Sequence, residues 1–250
     1  MLILVPYSVD VPTDRRPFSN WLILGLTALS FAALLIWTEP MVDAFLLTNW
    51  SPLRLLGHLF LHAGWFHLIG NLIFLWVFGN AVCSKVGNIF YPACYLGLGV
   101  LAGMSHLLLD GRPALGASGA INAIVGMYLV WYPLNDVSCF FAYFFIVKVG
   151  ARTFQVSSFW MILLWLAFDI FGAFMGAGNT AYWAHLGGFG GGFALAFAMT
   201  RMGWVKMERG EKSLLQCWGM MPLVVKEPAP PPAPPPPRAS LRSPRGLPSR

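Results

Sequence analysis

The run FHLIGNLIFLWVFGNAV, residues 66–82, decides the fold, because it carries no Asp, Glu, Lys or Arg along its whole length. That length approaches the roughly 20 apolar residues that cross about 30 Å of hydrocarbon as an α-helix. A membrane strand would show short segments alternating in polarity, and this run does not alternate. Working outward, comparable runs occupy 18–37, 90–109, 118–134, 156–174 and 180–200. Composition agrees: 57% of the 250 residues are hydrophobic, only 10% are charged, and the mean hydropathy is +0.65. A water-soluble domain needs far more charge to cover its surface. The expected fold is therefore an all-α membrane protein, a bundle of six transmembrane helices.

One apolar stretch is set aside. Residues 137–149, VSCFFAYFFIVKV, are short, include Lys148 and follow Pro133, which ends the preceding helix. They are placed at the membrane interface rather than across it. If they crossed, a seventh span would carry the basic segment after Thr200 to the outer side. The distribution of Lys and Arg argues against that, since cytosolic loops are the basic ones. With six spans and both ends in the cytosol, only Arg54 and Arg112 lie outside, while Arg15, Arg16, Lys85, Lys148, Arg152, Arg201, Lys206 and the tail lie inside. The formal charge of +6 then follows from topology, and no nucleic-acid partner is expected. The expected location is an integral membrane position in a bacterial inner membrane.

Four segments follow: a cytosolic lead at 1–17, a membrane domain at 18–202, a juxtamembrane segment at 203–227 and a proline-rich tail at 228–250. The tail run PAPPPAPPPPR supplies neither backbone donors nor a core, so an extended polyproline segment is expected there. Cys83, Cys94, Cys139 and Cys217 show no C-x-x-C spacing and are expected to be unpaired.

Polar side chains inside apolar spans are costly and mark functional sites by default. His67 and Asn71 lie in the second span, Ser118 opens the fourth, and His185 lies early in the sixth. These three spans run the same way, so the four side chains share one layer near the outer surface; His185, five residues past Thr180, is about 7 Å in. Ser118 sits in Gly116-Ala117-Ser118-Gly119 at a helix N-terminus, where free N–H groups favour a developing oxyanion. Its motif alone also fits a helix-capping serine. His185 precedes Gly188 and Gly192, a G-x-x-x-G pair that lets another backbone approach closely. Close approach is what a Ser–His pair divided between helices requires. His67 and Asn71, four apart, share a face and can both donate to a carbonyl oxygen. Asp169 is the lone acid within a span; a third member beside Ser118 and His185 is conceivable there, but the fifth helix need not touch His185. His58, His62 and His67 cluster, yet no H-E-x-x-H occurs and no carboxylate or thiolate completes a ligand set, so neither metal nor other cofactor is expected.

Taken in order, HLFLHAGWFHLIGNLIFLWVFG (58–79), GASGAINAIVG (116–126) and AHLGGFGGG (184–192) resemble the rhomboid family of intramembrane serine proteases. The resemblance covers about 18–202. It implies a six-helix rhomboid-like bundle in which Ser118 is the nucleophile and His185 the base of a dyad with no required aspartate. It also implies an oxyanion hole from His67, Asn71 and the Ser118 N–H, with Gly188 and Gly192 packing the sixth helix on the fourth. Residues 38–65, with Trp50 and Arg54, match the family's outer-leaflet loop, and the fifth helix its lateral gate. One departure is Asn122, which stands where many members carry an aromatic that stacks on the histidine; its amide is expected to hydrogen-bond the ring instead. The expected activity is hydrolysis of peptide bonds in or beside transmembrane segments of other proteins, with the bilayer and those substrates as partners. A non-catalytic rhomboid-fold protein that binds membrane clients is the alternative, and a small transporter a second. The sequence specifies no oligomeric state.

Overall fold

A computed structural model of the chain describes residues 2–13, 15–36, 39–145, 148–176, 178–208 and 210–223. The proline-rich segment from 228 lies outside them. In chain order the elements are β1 (Leu2–Val9), α1 (Phe18–Leu34), α2 (Glu39–Phe45), and α3 (Pro52–Gly57) with a 3₁₀ turn at His58–Phe60. Next come α4 (Trp65–Phe74), a π-helical turn (Leu75–Gly79) and α5 (Asn80–Val86), which together form one continuous rod. Then follow α6 (Phe90–Leu109), α7 (Ser118–Trp131), β2 (Asp136–Phe145), β3 (Lys148–Ser157), α8 (Ser158–Met175), α9 (Tyr182–Arg201) and α10 (Leu214–Cys217).

Among the described residues, three helices are long and apolar enough to cross a membrane: Trp65–Val86, Phe90–Leu109 and Ser158–Met175. Phe18–Leu34 and Ser118–Trp131 are shorter apolar helices. At the centre stands α7, with Ala120, Ile124, Met127, Tyr128 and Trp131 all fully buried. Apolar on every side, it suits a position surrounded by protein. Trp131 donates its indole N–H to Thr200 Oγ1 at 2.8 Å, tying the C-terminal ends of α7 and α9 together.

The all-α expectation is corrected. A three-stranded antiparallel sheet of order β1-β2-β3 caps the end of the bundle where α7 stops. β1 pairs with β2 from Leu2↔Tyr143 to Val9↔Val137, with a register shift between Pro6 and Ser8. The bulge falls beside the residue that has no N–H to give the ladder. β2 and β3 form a hairpin from Asp136↔Ser157 to Phe145↔Lys148. Thus the stretch expected to lie along the interface is extended chain, and the fifth long helix starts at Ser158 because β3 runs to Ser157. Val137 and Cys139 are buried while Phe140 is exposed, a strand's alternation rather than a helix's. Asp10 locks the corner: its carbonyl accepts from Asn135 Nδ2 at 3.0 Å and its carboxylate from the Asp136 N–H at 2.7 Å.

The π-helical turn leaves the Leu75 carbonyl available, and a buried amide takes it: Asn20 Nδ2 donates to Leu75 O at 3.0 Å and to Asn80 Oδ1 at 2.9 Å. Tyr91 OH donates to Asn20 Oδ1 at 2.7 Å, so one side chain joins α1, the α4–α5 rod and α6. At the same end Lys85 pairs with Glu211 in a largely buried contact. Below it α10, opened by a Ser213–Gln216 capping box, buries Leu214 and Leu215. Cys83, Cys94, Cys139 and Cys217 are all free thiols.

The opposite end carries the loop between α1 and the α4–α5 rod. Arg54 holds it by donating Nη1 hydrogen bonds to Asp43 O, Leu46 O and Thr48 Oγ1. Leu47 then pairs with Ala114, four residues before Ser118, through N–H···O bonds of 3.0 Å each way. Burial pushes His58 and His62 in this loop from the ordinary 6.5 down to about 4. The unfolded chain therefore binds protons at these rings between pH 6.5 and 4 where the folded one does not. Their contribution to stability is complete above about 6.5 and is lost as the pH falls to about 4. Thermal unfolding in detergent is expected to show a midpoint lower at pH 4.5 than at 7.5, with a shallower dependence in His58→Gln. A midpoint that does not move over this range contradicts the assignment.

Candidate active site

Ser118 is the first residue of α7, with Ala117 in the capping position before it, so its hydroxyl is not the helix cap. It meets His185 instead, with Ser118 Oγ and His185 Nε2 2.8 Å apart. His185 lies in the first turn of α9, and the approach depends on glycine. A Cβ on Gly192 would stand 2.6 Å from the Ala123 carbonyl carbon, and one on Gly188 3.0 Å from that of Gly119. Real side chains do not fit at either point, so backbone lies on backbone here. Gly119 completes the seam, where a Cβ would meet Ala102 Cβ at 2.8 Å.

His67 and Asn71 stand on α4 facing the segment that leads into α7. Gly116 has a φ of +122°, and a Cβ there would come within 2.7 Å of the His67 ring. Glycine is thus required both by its backbone conformation and by the ring against it. The Gly116 N–H donates to His58 O at 2.8 Å, fixing this turn to the loop between α1 and the α4–α5 rod. Asn71 is buried and its Nδ2 has no hydrogen-bond partner. A buried amide donor left open is costly unless something is to be placed against it. His67 Nδ1 accepts from the Ala63 N–H at 3.4 Å, a long bond that favours the tautomer with its proton on Nε2. Both α4 side chains can therefore offer an N–H toward the same point.

A cleft of about 610 Å³ opens over these groups, bounded by His67, Asn71, Ser118, Asn122, Thr180 and His185. Beneath it, a narrower space of about 220 Å³ lies between α7 and α8 and shares Phe74, Ile121, Asn122 and His185 as its wall. Two expectations change here. Asn122 donates its Nδ2 to Ser118 O at 3.0 Å, within its own helix, rather than to His185. Both ring nitrogens of His185 are already taken, and the second partner is Asp169: its Oδ1 lies 3.0 Å from His185 Nδ1. The fifth long helix does touch the histidine. Tyr182 approaches the same ring edge-on, with centroids 6.3 Å apart and planes at 79°.

Among the described residues, no group of three or more His, Cys, Asp or Glu side chains is placed to hold a metal ion. His58 donates Nδ1 to Arg54 O at 2.9 Å, and His62 packs on His67 with ring centroids 5.1 Å apart.

The model of the Rhomboid domain matches residues 49–202, which include every residue of this site. The chain belongs to the rhomboid family. Three rhomboid relatives illustrate the range of the match. The "Putative rhomboid protease YdcA" of Bacillus subtilis (strain 168) is 28% identical over 180 residues, 71% of this chain and 81% of the relative. The "Rhomboid protease GluP" of the same organism is 28% identical over 222 residues, 85% of this chain but only 40% of the relative. The "Rhomboid protein 1, mitochondrial" of Saccharomyces cerevisiae is 26% identical over 182 residues, 67% of this chain and 50% of the relative. Family membership together with the apolar helices makes this rhomboid an integral membrane protein.

Proposed function

We propose that this rhomboid is an intramembrane serine endopeptidase that hydrolyses peptide bonds in or beside transmembrane segments of other proteins. The observation that carries the reading is the 2.8 Å contact of Ser118 Oγ with His185 Nε2 at the N-terminus of α7, beside an unpartnered amide of Asn71. A hydroxyl is a weak nucleophile until a base within hydrogen-bond reach accepts its proton. His185 would take that proton as Oγ attacks the substrate carbonyl, and the charge on oxygen would be met by Asn71, His67 and the Ser118 N–H. Collapse of the tetrahedral centre passes the proton to the leaving amine. Water entering from the open cleft then hydrolyses the acyl-enzyme.

In this reading α1, the α4–α5 rod, α6, α7, α8 and α9 are six spans of a membrane domain at 18–202, with both chain ends in the cytosol. The cleft then lies near the outer face. Ser84, Lys85 and Glu211 mark the inner end, where Ser84 Oγ donates to Arg15 O at 2.6 Å. A substrate helix must open its backbone to reach Ser118, so segments rich in helix-breaking small residues are the expected substrates.

Labelling with a fluorophosphonate tests the reading. The folded protein in detergent is expected to bind one equivalent at Ser118, located by peptide mass, and Ser118→Ala to bind none. Folded wild type that never labels, or a label that survives Ser118→Ala, sinks the protease and favours a client-binding rhomboid. The oxyanion donors predict a graded effect. Asn71→Ala and His67→Ala should each lower kcat by roughly 10²–10³ with little change in KM, because the donated bonds matter most once the oxygen is charged.

A further inference from the structure

Resting on the protease reading above, we propose that Asp169 is a positioning residue for His185, so that Ser118, His185 and Asp169 stand in one hydrogen-bonded line divided among α7, α9 and α8. The contacts run in line: Asp169 Oδ1 to His185 Nδ1 at 3.0 Å, then His185 Nε2 to Ser118 Oγ at 2.8 Å. A carboxylate can only accept, so its partner nitrogen must carry the proton. That choice of tautomer leaves the lone pair of Nε2 facing Ser118, as a general base requires.

The surroundings of Asp169 make an accidental acid expensive. Its neighbours on α8 are Trp165, Leu166, Phe168 and Ile170, and its side chain is 16% exposed. Acids at such positions are retained where they have a partner. No basic side chain is within ion-pair distance of it among the described residues; its partner is the imidazole. During attack the Ser118 O–H bond breaks as Oγ–C forms, the carbonyl π pair moves to oxygen, and Nε2 gains the proton. The Asp169 carboxyl faces the imidazolium so formed, which is discharged when the proton leaves with the amine.

The ring is steadied from a second side by the same stretch of α8. A Cβ on Gly172 would overlap the Tyr182 ring, so Tyr182 is seated against Gly172, one turn after Asp169, while the two rings of Tyr182 and His185 meet edge to face. Yet α8 is the least embedded of the three long apolar helices: 22% of it is buried, against 33% for α6 and 50% for the α4–α5 rod. The base therefore takes its orientation from a helix whose other buried residues, Ser158, Met161 and Ile162, lie toward its opposite end.

The test is steady-state cleavage of a transmembrane substrate in proteoliposomes by wild type, Ser118→Ala, Asp169→Asn, Asp169→Ala and, as a neighbouring control, Phe168→Ala. Asp169→Asn is expected to lose about 10–10² in kcat with KM within about twofold and an unchanged thermal midpoint. Added formate is expected to restore part of the rate of Asp169→Ala while leaving wild type and Phe168→Ala unaffected. A kcat for Asp169→Asn within twofold of wild type overturns the proposal. So does a loss that tracks a rise in KM and a lower midpoint and that formate leaves untouched in Asp169→Ala. If wild type cleaves no better than Ser118→Ala, the protease reading itself fails, which is a separate outcome.

Discussion

Proteoliposomes carrying Ser118→Ala or His185→Ala are expected to cleave a transmembrane substrate at least about 10⁴-fold more slowly than wild type, and the double variant no more slowly than either single one. In the proposed mechanism the two side chains make one functional unit through a single 2.8 Å contact, so losing either would lose the whole covalent route. What survives is the binding and the hydrogen-bond donors of Asn71 and His67, which polarise a carbonyl but supply no nucleophile. Non-additivity is the sharper half of the expectation. Independent contributions would multiply, and a double variant slower than both singles by another large factor would mean that Ser118 and His185 do separate jobs. Folding offers no alternative explanation for Ser118→Ala, whose hydroxyl lies partly buried at the cleft with His185 as its partner. Thermal midpoints close to wild type should accompany the loss of turnover.

Why so much of this site can be read in the sequence, and the contact of Asp169 with His185 cannot, is a matter of geometry. Depth along a helix is one-dimensional. Ser118 at the start of one apolar run and His185 near the start of another give depth directly, and the i,i+4 spacing of His67 and Asn71 gives a shared face. Asp169 also has a legible depth: it precedes the end of α8 at Met175 by six residues, about 9 Å, while His185 is about 4–5 Å into α9. What is missing is the rotation of α8 about its axis, which depends on side-chain packing such as Tyr182 against Gly172. Asn122 was misjudged for the related reason that its amide closes locally onto Ser118 O, a competitor any helical asparagine has.

The sheet was hidden by sequence distance. Its first pairing joins Leu2 to Tyr143, and no local pattern announces a partner so remote. The segment VSCFFAYFF is nearly continuous in apolar character, which periodicity alone cannot assign to strand or helix. Asn20 gave a fair signal, an amide inside an apolar span. Its purpose, to satisfy the carbonyl freed by a π-helical turn in another helix, is visible only in three dimensions.

The glycine run of α9 yields the second large effect, and it separates residues that look alike in GGFGGG. Gly192→Ala is expected to destabilise the fold by at least about 3 kcal/mol, enough to deplete folded protein from the membrane. The new methyl would meet Ala123 at 2.6 Å from its carbonyl carbon and 2.8 Å from its Cα. Those atoms are backbone of a buried helix and cannot swing aside as a side chain tip would. Only separation of α7 from α9 relieves the overlap, and that widens the seam on which the Ser118–His185 contact depends. Gly126 presses on the same seam from the other side, where a Cβ would stand 2.9 Å from the Phe193 nitrogen. Gly190 sits in the same run with nothing within 4 Å of its would-be Cβ. There alanine should be neutral or mildly stabilising, since it lowers the entropy of the unfolded chain without a clash. Thermal unfolding of the two variants in one detergent decides the matter. Equal midpoints for Gly192→Ala and Gly190→Ala would mean that composition alone, a loose glycine-rich helix, suffices. A collapse confined to Gly192→Ala would mean that the reach of His185 to Ser118 is set by backbone contact at this one crossing.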